Sequence, residues 1–137
     1  MSAASRRWVA TGVLVLALFG AIDAATLIRL HILFTQAQTE ISYWGRANYQ
    51  PDEKAQHSVH LALQTLLRAN PHHPDYLSLQ ASELSWLSYW QRDQSESQRL
   101  ARAALSAQQS ALVSRPAHRH SQAKMLEYEA RVQRTKN

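Results

Sequence analysis

One long apolar stretch near the start constrains the fold of this chain more than any other feature. Arg6 and Arg7 precede it, and residues 8–22 then continue for 15 residues without a charge. The apolar character resumes after Asp23, so that residues 8–28 contain a single charge. A helix needs about 20 apolar residues to cross about 30 Å of hydrocarbon. We therefore predict a transmembrane helix near residues 8–30.

The two arginines before this stretch predict its orientation. The positive-inside rule keeps the N-terminal end in the cytoplasm and exports the rest. In a bacterium this gives a single-pass protein of the inner membrane with a periplasmic C-terminal part. A cleaved signal peptide is the alternative, since a basic start, an apolar core and small residues at Ala21, Ala24 and Ala25 are its parts. The apolar pattern continues to Phe34, which favours the retained anchor.

The rest of the chain has the periodicity of helices. It contains no Asn-Gly or Asp-Gly hairpin turn, and its prolines separate segments whose apolar residues recur every three or four positions. Capping residues and prolines predict four helices joined by short turns, which is typical of antiparallel helical hairpins. The predicted helices extend from Asp52 to Ala69, from Pro74 to Arg92, from Asp93 or Ser95 to Ser114, and over residues 118–134.

Two turns of this region resemble each other. Pro71 and Pro116 each end an Ala/Leu-rich helix and precede another, but they are 45 residues apart, which is longer than the 34-residue tetratricopeptide repeat. We therefore predict an all-α fold in which an N-terminal cytoplasmic tip and transmembrane anchor, residues 1–35, precede a small, irregular, tetratricopeptide-like bundle of antiparallel helices, residues 36–137.

Large aromatic residues and alanines predict how these helices pack. Trp86 and Trp90 lie four residues apart, which is a core spacing, and the alanine-rich face of the next helix permits a close approach to them. Glu83 lies on the same stripe, which predicts either a pKa raised by burial or an ion pair with Arg99 or Arg102. The candidate buried rows of the last helix are Ala123, Leu126, Ala130 and Met125, Tyr128, Val132.

The composition gives little indication of catalysis, of metal binding or of nucleic-acid binding. The chain has no cysteine and no Gly-x-Gly phosphate loop, and its net charge of +5 is diffuse. Zinc needs three or four converging ligands, whereas six of the seven histidines occur as three pairs, of which we predict the first to lie on a solvated face. These pairs are His57 with His60, His72 with His73, and His118 with His120. We expect a non-enzymatic protein without a cofactor or a metal.

Aromatic residues and a basic turn are the candidate contacts with a partner. We expect Trp44 and Tyr89 to be partly exposed, at the membrane interface or against another protein. Arg115 and Arg119 lie in the most basic part of the chain. The predicted partner-binding residues are Trp44, Tyr49, Tyr89, Arg115 and Arg119.

The order of these features resembles a known family. The anchor is followed by the Asn70-Pro71 turn, by an aromatic helix around Trp86, and by the Arg115-Pro116 turn. This order resembles the small membrane-anchored VpsP-type proteins of bacterial exopolysaccharide gene clusters. The resemblance implies an accessory or scaffold role in exopolysaccharide biosynthesis or export, in contact with other membrane proteins of that machinery and without a catalytic residue.

Two alternatives to this role remain open at the level of sequence. The first is a small subunit or assembly factor of another envelope complex, such as a secretion, pilus or respiratory assembly. The second is a periplasmic domain that binds glycan or metal, in which case the aromatic residues contact the polysaccharide directly. Neighbouring genes would separate the first alternative from the polysaccharide role, and calorimetry with oligosaccharide or zinc would test the second.

Overall fold

The structure is a computed structural model that describes the backbone of residues 3–134 and the side chains of residues 20–134. Its helices are α1 (Ala3–Tyr43), α2 (Glu53–Ala69), α3 (Pro74–Trp90), α4 (Gln94–Ser114) and α5 (Arg119–Arg134), with a short 3₁₀ turn at Arg46–Asn48. No β-strand occurs in this described part of the chain. The predicted all-α class is therefore confirmed.

The chain divides into two compact units, Met1–Ile32 and Leu33–Asn137. In the first unit, the described apolar side chains of Ile22, Leu27 and Ile28 are exposed. Residues 8–19 of the predicted transmembrane helix lie outside the described side chains. Within the part that the structure describes, no helix is both long enough and apolar enough to cross a membrane.

Local signals fix the ends of the helices. Oδ1 of Asp52 accepts a hydrogen bond from the backbone N–H of Ala55 at 2.7 Å, and this satisfies a donor at the start of α2 that the helix leaves unpaired. Asp93 caps α4 in a similar way, by accepting from the N–H of Ser95. Pro74 begins α3, where its missing N–H costs nothing. The predicted starts of these three helices are confirmed, while α3 ends two residues before the predicted Arg92.

The apolar core of the second unit, which we call the tryptophan core, lies between the last turns of α1, α2 and one side of α3. The indole rings of Trp44 and Trp90 have their centroids 5.3 Å apart, and Trp86 stacks on Trp90 at 5.5 Å. Its buried members are Ala37, Ile41, Trp44, Val59, Leu63 and Leu79, with Phe34, Ala62, Trp86 and Trp90 packed against them. Trp86 and Trp90 therefore pack towards α1 and α2, which differs from the predicted packing on the alanines of α4.

A glycine allows this core to close. Gly45 follows α1 with a φ of 75°, which is a left-handed conformation, and a Cβ at this position would overlap the ring of Trp86. Glycine is thus required both for the turn of the backbone and for the close approach of the indole. Ala37, Ile41 and Trp44, which recur on one side of the last turns of α1, are all buried in this core.

On its other side, α3 packs against α4 and α5 through small and polar residues. The buried alanines here are Ala81, Ala101, Ala104, Ala107 and Ala111. Small side chains let helix backbones approach closely, and Tyr128 of α5 fills the remaining space beside Ala81 and Ala107. Of the two rows proposed for α5, the one with Tyr128 and Val132 is buried, whereas Leu126 of the other row is 62 % exposed. The prediction of a buried row at Ala123, Leu126 and Ala130 is therefore wrong.

Candidate functional site

A row of buried serines on α3 forms the polar interface with α4 and α5. Nη1 of Arg131 donates to the carbonyl oxygen of Ser85 at 2.7 Å and to its hydroxyl at 2.6 Å. The hydroxyl of Ser88 donates to the carbonyl oxygen of Ser97 at 2.8 Å. Ser82 lies one turn earlier on the same side. We did not predict this interface, although serines at 78, 82, 85 and 88 follow a helical period.

Glu83 lies in a chain of hydrogen bonds with α2. The amide of Gln64 donates to Nε2 of His60 at 2.9 Å, which places the ring proton on Nδ1, and Nδ1 donates to Oε1 of Glu83 at 3.1 Å. The carboxyl of Glu83 is 3 % exposed, and burial raises its pKa, while His60 opposes part of that rise. Of the two alternatives that the sequence left for Glu83, the structure has the buried carboxyl with a raised pKa.

The predicted partners of Glu83 are wrong. Arg99 instead forms an ion pair with Glu96 on its own helix. His60, which we predicted to be solvated, has a half-exposed side chain whose Nδ1 is the partner of Glu83. A partner on α2 was not predicted because the spacing within one helix does not show which histidine of another helix faces it.

An open groove lies between α2, α3 and α4, with a volume of about 980 Å³. Its apolar residues are Leu84, Leu87, Trp90 and Leu100. Its charged residues are three carboxylates and one guanidinium, which give a net charge of −2 when His60 is neutral. The carboxylates are those of Asp52, Glu53 and Glu96, and the guanidinium is that of Arg99. We call this feature the acidic groove.

The structure corrects the prediction for Trp44. Its side chain is 2 % exposed, so that the expected partial exposure is wrong, and no part of the ring is offered to a partner. The indole Nε1–H of Trp44 donates to Glu40 Oε1 at 3.2 Å, and the hydroxyl of Tyr49 donates to the same oxygen at 2.9 Å. The hydrogen bond to Glu40 is the main cause that raises the pKa of Tyr49. Tyr49 itself lies at the surface.

The other predicted partner residues lie at the surface. Tyr89 is 68 % exposed; its ring meets Trp86 edge to face, and the guanidinium of Arg131 lies 5.9 Å from its centroid. Nη1 of Arg115 donates to Oδ1 of Asp75 at 2.6 Å, and Arg119 is exposed at the start of α5. Tyr89 and Arg115 line different clefts, so the structure does not bring the predicted residues to one site. Their role as partner contacts stays a prediction.

The described histidines and carboxylates do not gather into a metal site. Among residues 20–134, no three or more histidine, aspartate and glutamate side chains lie close enough together to hold a metal ion. His118 and His120 are near each other, with ring centroids 6.3 Å apart, but only as a pair.

Comparison with protein-family models, with curated proteins and with solved structures finds no match for this chain.

Proposed function

We propose that this protein is a non-enzymatic scaffold of the bacterial inner membrane that acts in exopolysaccharide biosynthesis or export. In this proposal the N-terminus is cytoplasmic, one helix near residues 8–30 is the anchor, and an irregular tetratricopeptide-like domain lies in the periplasm. The domain holds a membrane protein of the polysaccharide assembly machinery in its acidic groove.

Two observations support the anchor. Residues 8–22 carry no charge and follow two arginines, which is the pattern of a membrane-spanning segment with a cytoplasmic N-terminus. Ile22, Leu27 and Ile28 expose their apolar side chains on α1, where lipid would cover them. Arg29 and His31 follow, and their polar ends would reach the headgroups.

The acidic groove is the observation that carries the scaffold role. Its apolar residues come from two adjacent helices, and its volume of about 980 Å³ is at the upper end of the range for small-molecule pockets. An open groove of this kind fits an amphipathic helix whose apolar face lies against Leu84, Leu87 and Trp90.

The charge of the groove defines the partner more closely. The second unit as a whole is basic, whereas the groove has a net charge of −2. A partner helix with lysines or arginines beside its apolar face would therefore be attracted to the groove and oriented by it. The VpsP-type resemblance is the ground for placing that helix on a polysaccharide assembly protein.

A cross-linking experiment in cells tests this proposal. A photo-reactive amino acid is placed at Leu87 in the full-length chain, and the same amino acid at Leu126, on the exposed side of α5, is the control. We expect Leu87, but not Leu126, to cross-link to a membrane protein of exopolysaccharide assembly. Cross-linking to a secretion, pilus or respiratory subunit would instead establish the other envelope role.

A charge-reversal variant links the groove to exopolysaccharide output. Glu53→Lys adds a positive charge to the groove, so we expect weaker cross-linking at Leu87 and less exopolysaccharide from the cells. Glu129→Lys makes the same change of charge on α5, outside the groove, and should leave both unchanged. Equal polysaccharide output from the Glu53→Lys and Glu129→Lys strains would contradict the proposed use of the groove.

A further inference from the structure

A second cleft on the same unit differs from the acidic groove in both its charge and its place in the fold. It lies between the end of α1, the start of α3 and the start of α5, and its volume is about 340 Å³. Phe34, Ile41 and Leu79 supply its apolar wall. Its basic and imidazole side chains are those of Arg115, His118, His120 and Lys124, and its single carboxylate is that of Asp75. We call it the basic cleft.

Lys124 is the most informative residue of this cleft. Its side chain is half-buried, and desolvation lowers its pKa, with Glu127 opposing part of the change. Its ammonium donates to the hydroxyl of Ser82 at 3.2 Å. In the described part of the chain no carboxylate lies within 4.0 Å of this ammonium, so the partly desolvated charge has no counter-ion in direct contact. An anion in the cleft would supply that counter-ion.

Arg115 offers a second cationic contact at the same cleft. Its hydrogen bond to Asp75 uses Nη1, which leaves other N–H groups of the planar guanidinium for a ligand. The fork of a guanidinium matches the oxygen atoms of phosphate, and a lysine ammonium binds phosphate as a point charge. The ion pair with Asp75 also holds the guanidinium against the start of α3, because Asp75 lies in the first turn of that helix.

His118 adds a neutral donor to these two cations. The backbone N–H of Ser121 donates to its Nδ1 at 3.3 Å, so that Nδ1 is an acceptor and the ring proton lies on Nε2. The imidazole thus fixes the first turn of α5 and offers an Nε2–H donor. With the hydroxyl of Ser78 and the two cations, it gives the cleft more donors than the two oxygens of a carboxylate need.

We infer that the basic cleft binds a small phosphate-bearing ligand, held by the ammonium of Lys124 and the guanidinium of Arg115. The apolar wall around Phe34 and Ile41 accommodates the organic part of that ligand, and the cleft volume is at the small end of the range for ligand pockets. A phospholipid headgroup and a soluble phosphate ester share this chemistry. The inference does not depend on the proposed scaffold role.

Calorimetry and native mass spectrometry distinguish the two sources of phosphate. The full-length chain in a non-ionic, phosphate-free detergent is titrated with inorganic phosphate and with glucose 1-phosphate. In parallel, the chain is placed in nanodiscs of either phosphatidylglycerol or phosphatidylcholine. Native mass spectrometry then releases the chain and identifies the lipids that stay bound to it. Saturable binding of the soluble probes identifies a soluble ester, and selective retention of phosphatidylglycerol identifies a lipid headgroup.

Three variants show whether the cleft itself is responsible. Lys124→Met and Arg115→Gln should each weaken binding about tenfold or more, since each removes a charge-assisted contact. Arg119→Gln is the matched control, because it removes the same charge four residues later in the chain but outside the cleft. It should change affinity less than about twofold.

The stability of the variants separates loss of the site from loss of the fold. Lys124→Met replaces a desolvated ammonium with an apolar side chain of similar length, so it should unfold at the same temperature as the original chain or higher. Loss of binding in a stable Lys124→Met chain supports the inference. It is overturned if the original chain binds neither soluble probe nor phosphatidylglycerol, or if Arg119→Gln weakens binding as much as Lys124→Met.

Discussion

Helix α3 packs against its neighbours in different ways on its two sides. Towards α1 and α2, it contributes Leu79, Trp86 and Trp90 to the tryptophan core, where large apolar side chains fill the space between helices. Towards α4 and α5, it presents Ala81 and a row of serines, which approach the neighbouring backbones closely and form hydrogen bonds. The stability of the first interface depends on filled apolar volume, and that of the second depends on the geometry of its hydrogen bonds.

This difference predicts which substitutions each side tolerates. A close-packed apolar core loses stability when volume is removed or added, because its neighbours relax only in part. A polar interface loses stability when one partner of a buried hydrogen bond is removed. The remaining polar group is then buried with neither water nor protein to form a hydrogen bond with it. The clefts of the molecule lie where helices separate, and each takes its charge from the helix ends around it.

Truncation in the tryptophan core should have the largest effect. Leu63 is 1 % exposed, so Leu63→Ala should lower the free energy of unfolding by about 3–5 kcal/mol. Leu61→Ala, at an exposed position of the same helix, should lower it by less than about 1 kcal/mol. Urea unfolding of the full-length chain, followed by tryptophan fluorescence, measures both. Similar losses for the two variants would show that this side does not depend on packed volume.

Adding one carbon at Gly45 should be the next largest change. Gly45→Ala forces a Cβ against Trp86 and places alanine at a φ of 75°, so we expect a loss of about 2–4 kcal/mol. Ala47 also has a positive φ but lies at the surface, so Ala47→Gly should be neutral or slightly stabilising. The same unfolding measurement applies. A Gly45→Ala chain as stable as the original would mean that the indole moves aside without cost.

The polar side is tested by removing a guanidinium. Arg131→Met leaves the carbonyl and hydroxyl oxygens of Ser85 without their donor, and we expect a loss of about 1–3 kcal/mol. Arg134→Met removes an exposed guanidinium one turn later and should change stability by less than about 0.5 kcal/mol. Thermal unfolding by circular dichroism compares the two. Equal effects would remove the distinction between the two sides of α3.

The smallest expected effect concerns the buried carboxyl between α2 and α3. Because burial raises the pKa of Glu83 above its ordinary 4.5, the folded chain binds more protons than the unfolded chain above that pH. Its contribution to stability is therefore full below about pH 4.5 and is lost as pH rises through the raised pKa. Glu83→Gln lacks this dependence and retains an oxygen that accepts from His60. Urea midpoints between pH 4 and pH 8 measure the difference.

The sign of that difference decides the interpretation. We expect the original chain to lose stability relative to Glu83→Gln as pH rises. The same substitution at Glu53, an exposed carboxylate at the start of α2, is the control and should alter the profile less. If the original chain instead gains stability relative to Glu83→Gln with rising pH, the ion pair with His60 outweighs the burial of the carboxylate.

Local signals made the helices predictable. Asp52, Pro74 and Asp93 act on backbone groups within one turn, so their effect is contained in a few consecutive residues. One helical period also places Ala37, Ile41 and Trp44 on the same side of α1, although the burial of Trp44 was not predicted.

Packing between distant helices was less predictable. The aromatic character of Trp44 suggested a surface contact, but the indole is buried because α2 and α3 return to cover it and because Glu40 accepts from its N–H. The pairing of Glu83 with His60 joins residues 23 positions apart, and no spacing rule within one helix identifies it. The contacts of Lys124 and Arg131 with serines of α3 join residues that are even farther apart in the sequence.

The helical class, the starts of α2, α3 and α4 and the uncharged segment near the N-terminus all follow from the sequence alone. These features depend on capping, on proline and on the spacing of apolar residues, which act between near neighbours in the chain. The buried side of each helix, the pairing of the charges and the positions of the acidic groove and the basic cleft follow from tertiary packing. These features depend on how helices from separate parts of the chain pack against one another.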